Sequence, residues 1–193
     1  MVSRSIVGSE LRIAQPLWLL DDVDWTRTYT STEDKMRLAI ELARRNATED
    51  TGGPFGAVVF ESSGRVIAMG TNMVIPSCNA LLHAEVDALM FAQHAVGSHS
   101  LRGPNMAEHE LVASCAPCAM CLGAVLWSGV TRLITGATRE DAIAIGFDEG
   151  PVFEESYEYL AARGVTVVPE VLREDARAVL EEYRARGGPI YNP

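Results

Sequence analysis

Two short stretches of the sequence carry residue types that bind metals and move protons. His83-Ala84-Glu85 is the first, and Pro117-Cys118-Ala119-Met120-Cys121 is the second. Cys118 and Cys121 are three apart, a spacing that brings two sulfurs to one helix face, where they can chelate one ion. Both tracts fall where helices are expected to open, and the unsatisfied N–H groups of a helix start favour thiolate over thiol. His83 adds an imidazole nitrogen. Zinc with three protein ligands keeps a fourth position for water, the mark of a catalytic site rather than a structural one. Glu85, two residues beyond His83, is placed to reach that water rather than the metal and to carry its proton to a substrate nitrogen. The chemistry these residues suit is metal-assisted hydrolysis.

Other readings exist for the pieces taken singly. PCxxC alone is also the spacing of a thioredoxin-like redox pair, although a redox pair has no need of HxE upstream. Cys115, the third cysteine within seven residues, could complete a closed Cys₃His structural site. It precedes Pro117 and is expected to end a strand, so its side chain need not face the metal. Cys78 reads as a loop or core thiol, and His94, His99 and His109 read as surface residues.

The elements that must position these residues follow from periodicity and punctuation. Ser31-Thr32 caps a helix over 33–46, with Met36, Ala39, Ile40 and Ala43 at helical spacing. Residues 56–60 and 66–69 predict two strands of a hairpin turned by Ser62-Ser63-Gly64. Helical spacing returns over 83–95. A third strand is expected at 111–113, a helix opened by Pro117 runs to Trp127, and a fourth strand lies at 133–135. Residues 139–145 and 155–163 predict helices, 165–168 a fifth strand and 173–186 a closing helix. A hairpin followed by strands alternating with helices implies an α/β class fold, a three-layer α/β/α sandwich around a five-stranded mixed sheet. The long excursion between strands four and five lets them run parallel. Residues 1–30 show no clean period and are read as an N-terminal extension packed on a single domain of residues 31–193.

Composition narrows the partners. The chain has 193 residues, 26 acidic against 16 basic side chains and a formal net charge of −10. Such a charge gives no generic attraction for phosphate backbones or anionic lipid, so nucleic acid is a disfavoured partner. The first residues lack the apolar core of a secretory signal, and Leu17-Trp18-Leu19-Leu20 is too short to cross a bilayer. A soluble, cytoplasmic, reduced protein with no membrane partner is the expectation.

HxE followed by PCxxC is the signature of zinc deaminases. The sequence resembles the cytidine deaminase-like superfamily and, within it, the bacterial guanine deaminase group. The matching stretches are Gly53-Pro54-Phe55-Gly56-Ala57-Val58-Val59, Gly70-Thr71-Asn72, His83-Ala84-Glu85-Val86, Pro117-Cys118-Ala119-Met120-Cys121-Leu122-Gly123-Ala124 and Gly146-Phe147-Asp148-Glu149. The last is the stretch that points to the guanine deaminase branch. The resemblance implies one zinc ion per chain on His83, Cys118 and Cys121, with Glu85 as proton shuttle and Glu149 as a second acid near the departing amine. It implies that Asn72 hydrogen-bonds the base, that Phe55 and Trp127 line the pocket with His83, Ala84 and Asp148 as further contacts, and that Tyr191 and Asn192 form a lid. The implied reaction is hydrolytic deamination of a purine-like base, guanine to xanthine and ammonia first, by a homodimer. Ammeline or another aminotriazine, guanosine and cytosine are the alternative substrates; a tRNA adenosine deaminase or a catalytically silent member comes after them. Two departures stand out: Ala116 replaces a Glu that many relatives carry before PC, and the N-terminal thirty residues exceed the compact members.

Overall fold

The computed structural model describes residues 12–21 and 24–191. A short helix, α1 (Leu17–Asp21), lies in the segment expected to be an extension and was not foreseen from periodicity. Helix α2 (Thr32–Thr48) begins where the sequence places it, because the Ser31 hydroxyl accepts a hydrogen bond from the Asp34 N–H at 3.1 Å. The hairpin follows as β1 (Gly56–Glu61) and β2 (Val66–Thr71). Then come α3 (Ala84–Val96), β3 (His109–Cys115), α4 (Ala119–Ser128), β4 (Arg132–Ala137), α5 (Arg139–Ile145), α6 (Glu154–Ala162), β5 (Thr166–Val168) and α7 (Arg173–Ala185).

The sheet order is β2-β1-β3-β4-β5. β1 is antiparallel to both β2 and β3, while β3, β4 and β5 run parallel. Successive side chains of a strand point to opposite faces, and here both faces are apolar. Val58 and Phe60 of β1, Val112 of β3 and Ile134 of β4 pack with α2, α5 and α7. Ala57, Val59, Leu111 and Leu133 pack with α3, α4 and α6. The result is the expected three-layer α/β/α sandwich with its five-stranded mixed sheet.

Two local expectations need correction. His109 is buried, its Nδ1 2.9 Å from the Leu101 carbonyl, because it sits inside β3 and not at the surface. Pro117 does not open α4: the helix starts at Ala119 with Cys118 as its N-cap, and His83 likewise is the N-cap of α3. Both residues have extended backbone and stand just ahead of a helix whose first N–H groups are free of intrahelical partners.

The topology gathers one end of the sheet. The start of β1, the ends of β2, β3 and β4, and the N-termini of α3 and α4 all lie on that side, the side where open α/β sheets place ligands.

Candidate active site

His83, Cys118 and Cys121 come together, their ligand atoms all within 4.8 Å of one another. His83 Nδ1 is 3.6 Å from Cys118 Sγ. A tetrahedral zinc with bonds of about 2.0–2.1 Å to nitrogen and 2.3 Å to sulfur separates such a pair by about 3.6 Å, so the donor set fits the ion. Cys118 as N-cap and Cys121 three residues on have the spacing of a capping pair, which explains why their sulfurs converge. The Cys121 thiol donates to Cys118, and this bond, with one from His83, holds Cys118 down to about 4. Cys121, as donor, is pushed up. Burial disfavours charge on His83, but its bond to Cys118 and the nearby Glu85 charge outweigh that and raise it.

Ten residues enclose a cavity beside the cluster: Phe55, Asn72, His83, Glu85, Cys115, Ala116, Cys118, Phe147, Glu149 and Tyr191. Its volume, about 20 Å³, is room for about one water. Burial pushes the Glu85 carboxyl up to about 7, with the Cys118 charge adding to the effect. Burial likewise lifts Glu149 to about 8, reinforced by Cys118 and Glu85. Two carboxyls able to hold or release protons near neutrality, in one buried space, are suited to acid–base work. Glu149 reaches this place through its backbone, since its carbonyl accepts from Ala119 N at 3.0 Å, one residue beyond Cys118.

Phe147 anchors an aromatic wall. Its ring centroid is 5.0 Å from Phe55 and from Tyr191, and it stacks on Tyr183 at 6.2 Å. Tyr191 closes the cavity across Gly53, where a Cβ would meet the tyrosine hydroxyl at 2.7 Å and Asn72 Oδ1 at 3.0 Å, so only glycine admits this approach. Asn72 Nδ2 and Tyr191 Oη are buried without a hydrogen-bond partner among the described residues. A buried donor left unpaired costs free energy, and such groups at a cavity wall are ready to meet a ligand.

Not every expected residue is here. Trp127 is 73% exposed near the end of α4 and does not line the cavity. Helix α4 is apolar on all sides, so periodicity could not tell its inner face from its outer one. Ala84 is buried between α3 and the sheet, outside the cavity. Asp148 faces solvent and caps a turn, accepting from Gly150 N at 2.8 Å. Asn192 lies outside the described residues. Cys115 lines the cavity but is not part of the ligand group; burial keeps it a thiol, and its Sγ donates to the Thr138 carbonyl at 3.5 Å. Phe147 was not singled out from sequence, although its place between Gly146 and an acidic pair was the available signal.

A family model of the cytidine and deoxycytidylate deaminase zinc-binding region matches residues 29–137, which include the three ligands and Glu85. The chain belongs to this family. As a member it is a zinc-dependent hydrolytic enzyme, with His83, Cys118 and Cys121 positioned to hold the ion. It is 36% identical over 123 residues to the guanine deaminase of Bacillus subtilis (strain 168), covering 64% of this chain and 75% of that one. The solved guanine deaminase from Nitrosomonas europaea is 44% identical with a TM-score of 0.88, covering 92% of this chain and 98% of its own. A mutant protein solved in complex with 8-azaguanine is 43% identical with a TM-score of 0.89, over 93% and 98% of the two chains. The two structural similarities span more than nine-tenths of the chain, well beyond the matched zinc-binding region.

Proposed function

We propose that this deaminase converts guanine to xanthine and ammonia. The observation that carries the reading is the small cavity in which Glu85, Glu149 and the Asn72 Nδ2, without a partner among the described residues, adjoin the His83–Cys118–Cys121 cluster. Likeness to guanine deaminases over nearly the whole chain supports the choice of base.

Zinc on the three ligands supplies Lewis acidity that brings a water's pKa to about 7. Glu85 takes a proton from the attacking water and delivers it to the ring nitrogen beside the amine-bearing carbon. The water oxygen bonds to C2; the proton that remains on that oxygen then passes to Glu85 as the C2 carbonyl forms, and from Glu85, directly or by way of Glu149, to the nitrogen, which leaves as ammonia when the C2–amine bond breaks. Asn72 Nδ2 donates to an acceptor on the purine edge and Tyr191 Oη lies available beside it. Phe55 and Phe147, in edge-to-face contact, line the base's place together, and this aromatic wall keeps bulk water from the reacting carbon. A purine is larger than this cavity of about 20 Å³, so the reading includes a shift of the Tyr191 side chain to admit the base.

A polyanionic substrate is disfavoured by charge. The sole lysine, Lys35, is buried against Glu110 and unavailable to phosphate. The proposal includes a cytoplasmic homodimer, supported by the exposed aromatic side chains Trp127, Phe153 and Tyr159 on the α4–α6 side. Light scattering on the purified protein tests the dimer. For substrate choice, kcat/KM is compared over guanine, guanosine, ammeline, adenine and cytosine. Guanine is expected to lead; a clear preference for guanosine or an aminotriazine would redirect the assignment.

A further inference from the structure

We propose that the segment ahead of α2 is a positioning element for the substrate pocket, holding the backbone on both sides of Asn72 through Trp18 and Gln15. The inference rests on the reading of Asn72 as a base-binding residue.

The first relay starts in α1. Trp18 Nε1 donates to Thr51 Oγ1 at 3.1 Å. The Thr51 hydroxyl has one hydrogen, which goes to Asn46 Oδ1 at 2.8 Å. That assignment fixes the Asn46 amide, whose two Nδ2 hydrogens reach the carbonyls of Gly53 at 2.8 Å and Asn72 at 2.9 Å. Asn46 is wholly buried in α2, and each bond fixes the direction of the next. The ring at the head of the relay is itself held. The Arg45 guanidinium lies 4.7 Å from the Trp18 ring centroid, and neighbouring Leu19 is buried in the core.

The second relay closes the edge of the sheet. β2 is an edge strand, and outward backbone groups of such a strand need partners. Gln15 Nε2 donates to the Met69 carbonyl at 2.6 Å and to Asp87 Oδ2 at 3.0 Å. The same carboxylate oxygen accepts the Thr71 N–H at 3.2 Å. Thr71 directly precedes Asn72, and Asp87 lies one turn into α3 from His83. Gln15 therefore ties together the end of β2 and the helix that carries Glu85.

The relays converge on Asn72, one at its own carbonyl and the other at the N–H of the residue before it. Neither Trp18 nor Gln15 lines the cavity. Their effect is on the orientation of an amide whose Nδ2 has no partner among the described residues. A purely structural role would lower thermal stability and leave KM alone; a positioning role raises KM while kcat and zinc content hold.

The test uses the full zinc-loaded chain with Trp18→Phe, which keeps the ring and removes the donor, and with Thr51→Val and Thr51→Ser. Trp18→Phe and Thr51→Val are expected to raise KM for guanine about fivefold, the size of one lost hydrogen bond, with kcat within about twofold of the parent. Thr51→Ser keeps the hydroxyl and is expected to restore the parent KM. Amide hydrogen exchange, measured without substrate, is expected to rise at residues 51–55 and 71–73 in the two impaired variants. Gln15→Met, which keeps the side-chain length and removes the donor to Met69 and Asp87, is expected to raise KM to a similar extent and to raise exchange at 71–73. Parent-like KM and exchange in Trp18→Phe and Thr51→Val, or in Gln15→Met, or a Thr51→Ser variant as impaired as Thr51→Val, overturns the inference. If the parent protein leaves guanine untouched, the functional reading falls, and the exchange pattern alone decides the relay: raised in those two segments it stands, unchanged it fails.

Discussion

Replacing Gly70 with alanine tests how tightly the site depends on the contact between β2 and α3. A Cβ at position 70 would lie 2.3 Å from the Ala84 carbonyl oxygen and 2.3 Å from the Ala88 nitrogen. Ordinary contacts between such atoms are more than 3 Å, so helix and strand must part by about 1 Å, and both offending atoms are backbone. The shift falls between His83 and Glu85, since Ala84 separates them, while Cys118 and Cys121 stay with α4. Overpacking of this kind costs about 1–3 kcal/mol, and for a chain of this length about 2–4 °C of Tm per kcal/mol is expected. A misplacement of about 1 Å costs about 10²-fold in rate. Gly70→Ala is therefore expected to fold with a Tm lowered by several degrees, bind zinc more weakly, and lose about two orders of magnitude in kcat/KM for guanine. Gly103→Ala is the control, because its Cβ would meet nothing nearer than 3.9 Å. Differential scanning calorimetry, elemental analysis after dialysis and a xanthine-formation assay read the three quantities. A Gly70→Ala enzyme with parent zinc affinity and parent kcat/KM would refute the claim that this contact sets the geometry of His83 and Glu85.

Other expectations follow from the ion pairs and caps that hold the scaffold. Arg173 beside Asp141, together with the bonds to Thr138, holds the Asp141 carboxyl below its usual range. Its folded pKa is thus below the unfolded one, so the stabilisation is present above the unfolded pKa and lost as pH falls through the folded one. Asp141→Asn is expected to cost about 1 kcal/mol at neutral pH, the scale of a helix cap, with the gap to the parent closing in acid; urea titrations from pH 7 down to pH 3 measure it. A gap independent of pH would show that the charge is not what matters. Lys35→Ala leaves the buried Glu110 with Arg132, at 3.2 Å, as its remaining cation. It is expected to lose about 3 kcal/mol, read by the same titration at pH 7, and a loss under about 0.5 kcal/mol would contradict the role given to the pair.

Much of this architecture is written locally. Ser31 caps α2 by a bond that any sequence reader can anticipate, and the alternation in β1 sends Val58 and Phe60 one way and Ala57 and Val59 the other. The metal cluster is legible for a similar reason, since Cys118 and Cys121 converge by cap geometry and bring only His83 from a distance. What escaped is what depends on long-range closure. Glu149 was expected through the family resemblance alone, because it enters the cavity by a loop before α6 that is tied to Ala119, which no local pattern encodes. Trp127 sits on a helix with no polar face, so its exposure is decided by what packs against α4 rather than by spacing. His109 is buried through a partner at Leu101. Asn46 reads as an ordinary residue near the end of a helix, yet its amide joins two loops of the site, and Trp18 acts from a segment without period.

The central claim, that Glu85 moves protons beside a zinc held by His83, Cys118 and Cys121, is tested most directly by Glu85→Gln. Zinc content and the rate of guanine conversion to xanthine and ammonia are measured on the same preparation. The account predicts one zinc per chain retained and kcat reduced by about 10²–10⁴-fold, the contribution of a positioned acid–base group. Zinc lost with the substitution, or activity kept, would contradict it.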